Sequence, residues 1–228
     1  DSRQFYKEIP IGTAAPTKQE LSKVQHYMIH NLSVEDDYNV ADYEHDVLNL
    51  LNKLFLEHDT VVLTGGSGLF IDAVCNGIDF MPDISDENRE SVKKLYQNGG
   101  LQALQEEVKR LDPEYYKIVD KQNPRRLQRA IEVCYQTGFP YFSFRNNIVK
   151  QRDFKIVKVA ILWERNELIS RINQRVENMI AEGLVEEARM MYPKRHLNSL
   201  NTVGYKEMFE HFDGKITLGE AIEQIKIS

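Results

Sequence analysis

The stretch Thr60-Val61-Val62-Leu63-Thr64-Gly65-Gly66-Ser67-Gly68-Leu69-Phe70 constrains the fold of this chain more than any other. Its β-branched and apolar start reads as a parallel strand buried on both faces. Three glycines within four positions then let the backbone turn sharply and bring its N–H groups close to a ligand. A helix through Ile71, Ala73 and Val74 follows, its positive end aimed at the same crevice. Open α/β sheets bind their substrates at such loops, beyond the carboxyl ends of the strands. The bland alternative is a turn that only joins a strand to a helix.

The 228 residues can hold one large domain, or a core with a small insertion. With 42% hydrophobic and 28% charged residues the composition is that of a globular protein, neither disordered nor membrane-embedded. No apolar run approaches the roughly 18 residues of a membrane span. The opening Asp1-Ser2-Arg3-Gln4 lacks the apolar core of a targeting peptide. Cys75 and Cys134 both sit in apolar helical patterns, read as reduced core residues and point to a cytoplasmic location. His and Cys are too scattered for a zinc site, and no metal ligands are expected in this chain. The net charge of −6 argues against bulk nucleic-acid binding but leaves room for a local basic groove.

Helical periodicity dominates the pattern. Amphipathic helices are expected over 42–57, 87–98, 101–111, 113–119, 123–136, 167–182, 184–191, 205–212 and 218–225. Strands are expected at Gln25–His30, in the opening motif, and at Ile156–Leu162. The assembly these imply is α/β, a parallel sheet with helices on both faces and a helical insertion between two strands. The expected division is a discontinuous core over 1–82 and 151–228, with the insertion over 83–150. Three strands make a small sheet for this length, and the chain begins abruptly in a polar motif. Both features read as a fragment, or the ordered part of something longer.

Three constellations could carry chemistry. Asn123 and Pro124 suit the cap and first position of a helix, and Arg125, Arg126 and Arg129 fall in its first turns. Guanidinium groups there oppose the helix dipole, a conflict that a phosphate would resolve. The alternative is surface arginine paired with Asp120 or Glu132. Arg171 and Arg175 repeat the i, i+4 spacing, with Glu167, Glu177 and Glu182 as possible neutralising partners. Asp1-Ser2-Arg3-Gln4-Phe5-Tyr6 offers a carboxylate for general-base work, an amide to read a base edge, and rings to stack on one.

Taken together these segments resemble the tRNA dimethylallyltransferases (IPP transferases), which prenylate the adenosine just 3′ of the anticodon. The resemblance rests on Asp1 to Tyr6, Ile11-Gly12-Thr13-Ala14, His26 to Ile29, Gly65 to Phe70, Asn123 to Val133 and Thr137 to Pro140. It continues through Arg171-Ile172, Arg175-Val176, Gly183-Leu184, Glu186-Glu187 and Val203 to Glu207, in the family's order. Two family hallmarks are absent, a Walker-type P-loop and a basic, aromatic-rich terminal stretch. Both absences read as truncation, and a molecule physically lacking the P-loop is not expected to catalyse.

The resemblance implies a P-loop NTPase-like α/β core with a mainly helical insertion gripping the anticodon stem-loop, in a monomeric, ATP- or nucleotide-binding-type protein. It implies Asp1 as the base that takes a proton from the adenine N6 amine, and Gln4 and Ser67 as groups holding the flipped base or its backbone. Ser2, Arg3, Arg89, Arg125, Arg126, Leu127, Gln128 and Arg129 are implied as further tRNA contacts. Arg171 and Arg175 are implied to clamp dimethylallyl diphosphate, with Mg²⁺ held by the missing P-loop. An acceptor that is a free adenine nucleotide, as in adenylate isopentenyltransferases, is one alternative. A small-molecule kinase on the same core, or a non-enzymatic RNA-binding module, are the others.

Overall fold

In the computed structural model the described residues are 1–146 and 149–228. Among them are ten α-helices: α1 Lys18–Lys23, α2 Val40–Leu54, α3 Gly68–Asn76, α4 Asp86–Leu111, α5 Pro113–Ile118, α6 Pro124–Thr137, α7 Arg165–Glu182, α8 Leu184–Met191, α9 Tyr205–Phe212 and α10 Leu218–Ile227. The chain forms two compact units, Asp1–Ile71 with Lys155–Ser228, and Asp72–Phe154.

In the first unit the helices begin where the sequence supplies caps. Asn39 Oδ1 accepts from Ala41 N at 2.7 Å and Asp42 N at 3.2 Å, while Asp42 Oδ2 accepts from Asn39 N at 2.9 Å. This reciprocal box satisfies donors that the first turn of α2 would leave bare. Thr17 with Glu20 and Thr217 with Glu220 start α1 and α10 the same way. Gly183, at φ 104°, ends α7 in the left-handed region and turns the chain directly into α8. The core is built from α7, α8, α9 and α10 around Ile9 and Val34, with Leu184, Leu200, Tyr205 and Met208 fully buried. Each such side chain contributes about 1.5–3 kcal/mol by leaving water.

The three expected strands are not found as a sheet. Among the described residues β pairing is limited to one parallel bridge, Tyr6 with Leu32. A strand is completed only by a neighbour that takes its N–H and C=O groups and covers its faces. Here Val62 is 83% exposed, Val159 83% and Leu162 90%, so neither condition is met among the described residues. The 25–30 segment fails for a local reason as well. Met28 (φ 58°) and His30 (φ 50°) take left-handed conformations that interrupt an extended chain. His30 N donates instead to the Gln4 carbonyl at 2.9 Å.

In the second unit α4 and α6 pack over Val92, Leu104, Val108, Leu127, Ala130 and Ile131. The two helices expected over 87–98 and 101–111 form one span broken at Gly100 (φ 61°, ψ −156°). Buried Asp112 uses both carboxylate oxygens: Oδ1 caps α5 at Tyr115 N (2.9 Å), and Oδ2 accepts from Phe142 N (2.7 Å). Arg152 donates to the carbonyls of Ala73 and Val74 at 2.8 Å each, satisfying acceptors late in α3. Cys75 and Cys134 are buried and free. No helix among the described residues is long and apolar enough to cross a membrane.

Candidate active site

The first six residues form a turn. Asp1 Oδ1 accepts from Arg3 N at 2.9 Å and the Asp1 carbonyl from Gln4 N at 3.1 Å. An Asx turn of this kind fixes the carboxylate at Oδ1 and leaves Oδ2 with no protein donor among the described residues. The glycine loop lies against this turn. Ser2 N donates to Ser67 Oγ at 3.3 Å, and the two hydroxyls are 2.8 Å apart. A Cβ on Gly65 would stand 3.2 Å from Asp1 N, and one on Gly66 would stand 3.8 Å from Asp1 Oδ2. Absence of a side chain at 65 is what lets the loop approach the Asp1 backbone so closely.

Beside Asp1 lies a small recess shared with Thr64, Ser67 and an aromatic trio of Phe5, Tyr43 and Phe70. Phe5 stacks on Tyr43 at 5.4 Å, and Phe70 meets Tyr43 edge-on at 5.1 Å. Phe5 is buried in this packing and Tyr6 in the core with Ile9 and Val34, so neither ring is free to stack on a nucleobase.

Gln4 points the other way, onto the loop Ile11-Gly12-Thr13-Ala14. Its Nε2 donates to Thr13 O at 3.1 Å and Ala14 O at 2.9 Å. Two carbonyl partners fix which end of the amide faces the loop, so Oε1 is left to accept from a ligand. Arg175 Nη2 reaches the same Thr13 carbonyl at 3.5 Å. Glu187 holds the loop from behind, taking Ile11 N at 2.9 Å and Gly12 N at 2.8 Å. Arg3 has a structural task, donating from Nη1 to the carbonyls of Asn198 (3.3 Å) and Ser199 (3.0 Å).

An open cleft of ≈ 780 Å³ runs between this loop and α7. Ile11, Ala14, Ile172 and Met179 supply an apolar wall, Arg171 and Arg175 the positive charge, and Glu20 and Glu182 also line the cleft. Neither arginine forms an ion pair among the described residues. Glu177 pairs instead with Lys226 at 3.6 Å. Arg171 is braced by the Trp163 ring, 4.0 Å from its guanidinium carbon. Two unneutralised cations beside an apolar wall suit a ligand with an anionic head and a hydrocarbon tail.

In the second unit α6 opens as its sequence suggests, with Asn123 Oδ1 accepting from Arg126 N at 3.2 Å and Pro124 in the first turn. Arg125 and Arg126 are exposed and unpaired among the described residues, as is Arg89. Arg129 lies 3.8 Å from Glu132. Burial pushes the Glu132 carboxyl up, with Arg129 and Arg89 pulling against it. Gln128 is half-buried. Leu127 is fully buried in the α4–α6 core, so its side chain is not a tRNA contact; it anchors the helix that carries the arginines.

The IPP transferase family profile matches residues 4–228. The chain belongs to that family. A tRNA dimethylallyltransferase of Phocaeicola vulgatus is 53% identical over 226 residues, 99% of this chain and 75% of that protein. One of Bacteroides fragilis is 51% identical over 226 residues, with the same shares. Among solved structures, the tRNA isopentenylpyrophosphate transferase of Bacillus halodurans matches with TM-score 0.65 and 31% identity, covering 100% of this chain and 72% of that one. A eukaryotic dimethylallyltransferase acting on tRNA shares the fold, with TM-score 0.74 at 19% identity over 100% of this chain and 58% of that one. The chain thus spans about three quarters of the length of its curated IPP transferase relatives.

Sequence reasoning assigns no role to Thr13, Glu187 or Tyr205, although all three fall in segments that carry the IPP transferase resemblance. Their meeting point is visible only in three dimensions.

Proposed function

We propose that this protein transfers a dimethylallyl group from dimethylallyl diphosphate to the N6 amine of the adenosine 3′-adjacent to the anticodon in tRNA. The observation that carries this reading is the carboxylate of Asp1, stitched through Ser2 and Ser67 to the glycine loop with Oδ2 left open. Relatives named for this reaction support it. In this reading the acceptor base is flipped to Asp1, and Gln4 Oε1 accepts from its exocyclic amine. The N6–C bond forms as the allylic C–O bond breaks. The proton passes to Asp1 Oδ2, and the electron pair leaves on diphosphate, where Arg171 and Arg175 meet the charge.

Residues 83–150 are the insertion that contacts the anticodon stem-loop, through Arg89, Arg125, Arg126 and Arg129 with Gln128 beside them. The core is of the P-loop-like α/β kind, and the solved family members support that assignment. Mg²⁺ belongs to this reading as a requirement of the family. The described residues hold no group of three His, Cys, Asp or Glu able to bind a metal ion, so no step is assigned to it. A monomer working in the cytoplasm completes the reading.

The test is to incubate the intact protein with an anticodon stem-loop, dimethylallyl diphosphate and Mg²⁺, and to weigh the RNA. A gain of one dimethylallyl group on the target adenosine, lowered about 10²–10⁴-fold in Asp1→Asn, is the expected result. Prenylation of free AMP in preference to the stem-loop would move the reading to an adenylate isopentenyltransferase, and ATP turnover without prenyl transfer to a kinase.

A further inference from the structure

Glu187 is 4% exposed and stands among backbone and apolar groups, with no cation paired to it among the described residues. Its two oxygens are nonetheless fully used. Oε2 accepts from Ile11 N at 2.9 Å; Oε1 accepts from Gly12 N at 2.8 Å and from Tyr205 Oη at 2.5 Å. Burying an unpaired carboxylate costs several kcal/mol before its hydrogen bonds offset it. A neutral side chain could cap one N–H more cheaply. Only a carboxylate accepts from two successive backbone N–H groups and a hydroxyl together.

What that geometry secures lies on the other side of the loop. With the N–H groups of Ile11 and Gly12 turned toward Glu187, the next two carbonyls, Thr13 and Ala14, face Gln4 and Arg175. The loop does not rest in this shape unaided. Ala14 sits at φ 45°, a left-handed conformation that a residue with a Cβ seldom adopts. Thr13 Oγ1 ties it internally to the Ile9 carbonyl at 2.7 Å. Tyr205, wholly buried, closes the back so tightly that a Cβ on Gly12 would lie 2.6 Å from its Cζ. Burial, with the Glu187 carboxylate beside it, holds the Tyr205 phenol above its usual range, so it stays a donor across neutral pH.

We infer that Glu187, backed by Tyr205, is a positioning residue for the transfer, fixing the 11–14 loop that sets Gln4 at the acceptor and Arg175 at the donor. The inference rests on the proposed reaction for the roles of Gln4 and Arg175. It places one buried carboxylate behind both substrates, although it touches neither.

A double-mutant cycle decides it. In the intact protein Glu187→Gln keeps the shape but supplies one acceptor oxygen, and single-turnover transfer should fall about 10- to 100-fold through misplacement. The KM values for stem-loop and dimethylallyl diphosphate should move far less. Added to Gln4→Ala, the same change should cost much less than it does alone, because the group it positions is gone. Tyr205→Phe keeps the ring packing and should show the same non-additivity at smaller amplitude, which serves if Glu187→Gln does not fold. Parallel cycles read binding: stem-loop affinity with Gln4→Ala, and affinity for a non-transferable diphosphate analogue with Arg175→Ala. Additive losses in rate and in both affinities would overturn the inference and leave Glu187 a packing residue. An inactive wild type would instead sink the proposed reaction, and the binding cycles would then decide whether Glu187 positions Gln4 and Arg175.

Discussion

Ser2 and Ser67, 65 positions apart in the chain, meet through their hydroxyls at 2.8 Å, and Ser67 also takes the Ser2 N–H. That contact brings the N-terminal turn to the glycine loop and sets the Asp1 carboxylate beside Gly65 and Gly66. Ser67→Ala removes both bonds at a part-buried point and is expected to cost about 0.5–1.5 kcal/mol of stability. Transfer should drop about tenfold as Asp1 loosens. Rapid-quench kinetics beside a urea titration separates the effects. A rate unchanged at the reduced stability would show that Asp1 does not depend on this tie.

Gly12 and Gly68 predict opposite outcomes for the same substitution. A methyl at Gly12 runs into the Tyr205 ring, which is fully buried and has nowhere to move. Gly12→Ala is expected to cost about 1–3 kcal/mol as overpacking. At Gly68, which opens α3, an added Cβ meets nothing within 4 Å. Gly68→Ala should be neutral, or stabilise by up to about 1 kcal/mol through helix propensity. Thermal melts of the two variants compare them directly.

On α6 the neighbours Arg126 and Leu127 should separate binding from folding. Leu127→Ala opens a cavity in the α4–α6 core and is expected to destabilise by about 2–5 kcal/mol. Arg125→Ala and Arg126→Ala, both exposed, should leave the melting curve in place. Each should lower stem-loop affinity and reduce the slope of log K against log salt by about 0.7–0.9 per lost phosphate contact. Fluorescence anisotropy across a salt series reads that slope. An unchanged slope in both would remove these arginines from the tRNA surface.

The acid side of the stability curve should report on Glu107. A hydrogen bond from Arg110 holds its carboxyl below the ordinary 4.5, burial opposing it and the Tyr135 hydroxyl (2.7 Å) adding to the pull. A folded-state pKa below the unfolded one means the unfolded chain binds more protons on the acid side. The stabilisation is therefore complete above about 4.5 and is lost as pH falls through the lower, folded value. Denaturation from about pH 6 to about pH 3 should show a shallower acid loss in Glu107→Gln than in wild type. Tyr135 shares the pair; burial, then the bond to Glu107, pushes its phenol up to about 12.

Most helices were readable because their causes are local. Asn123 and Pro124 before Leu127, Ile131 and Cys134 describe a cap and a buried stripe within a dozen residues. The same stripe puts Leu127 on the core face, so its burial was legible from spacing alone. Short α1 escaped notice, having no buried residue to mark it, although its capping box of Thr17 and Glu20 was on view.

Tertiary structure alone decided the rest. A strand is a property of two segments, and Thr60–Leu63 or Ile156–Leu162 is apolar enough for one without carrying its partner within itself. The site divides along the same line. Asp1, Gln4, the glycine loop and the arginine pairs announce themselves by residue type and spacing. Which of them meet was decided by contacts across the chain, such as Ser2 with Ser67 and Gln4 with Thr13. Glu186 and Glu187 look alike in the sequence. The fold leaves one in solvent and buries the other against Ile11 and Gly12, because only packing sets which way each carboxylate faces.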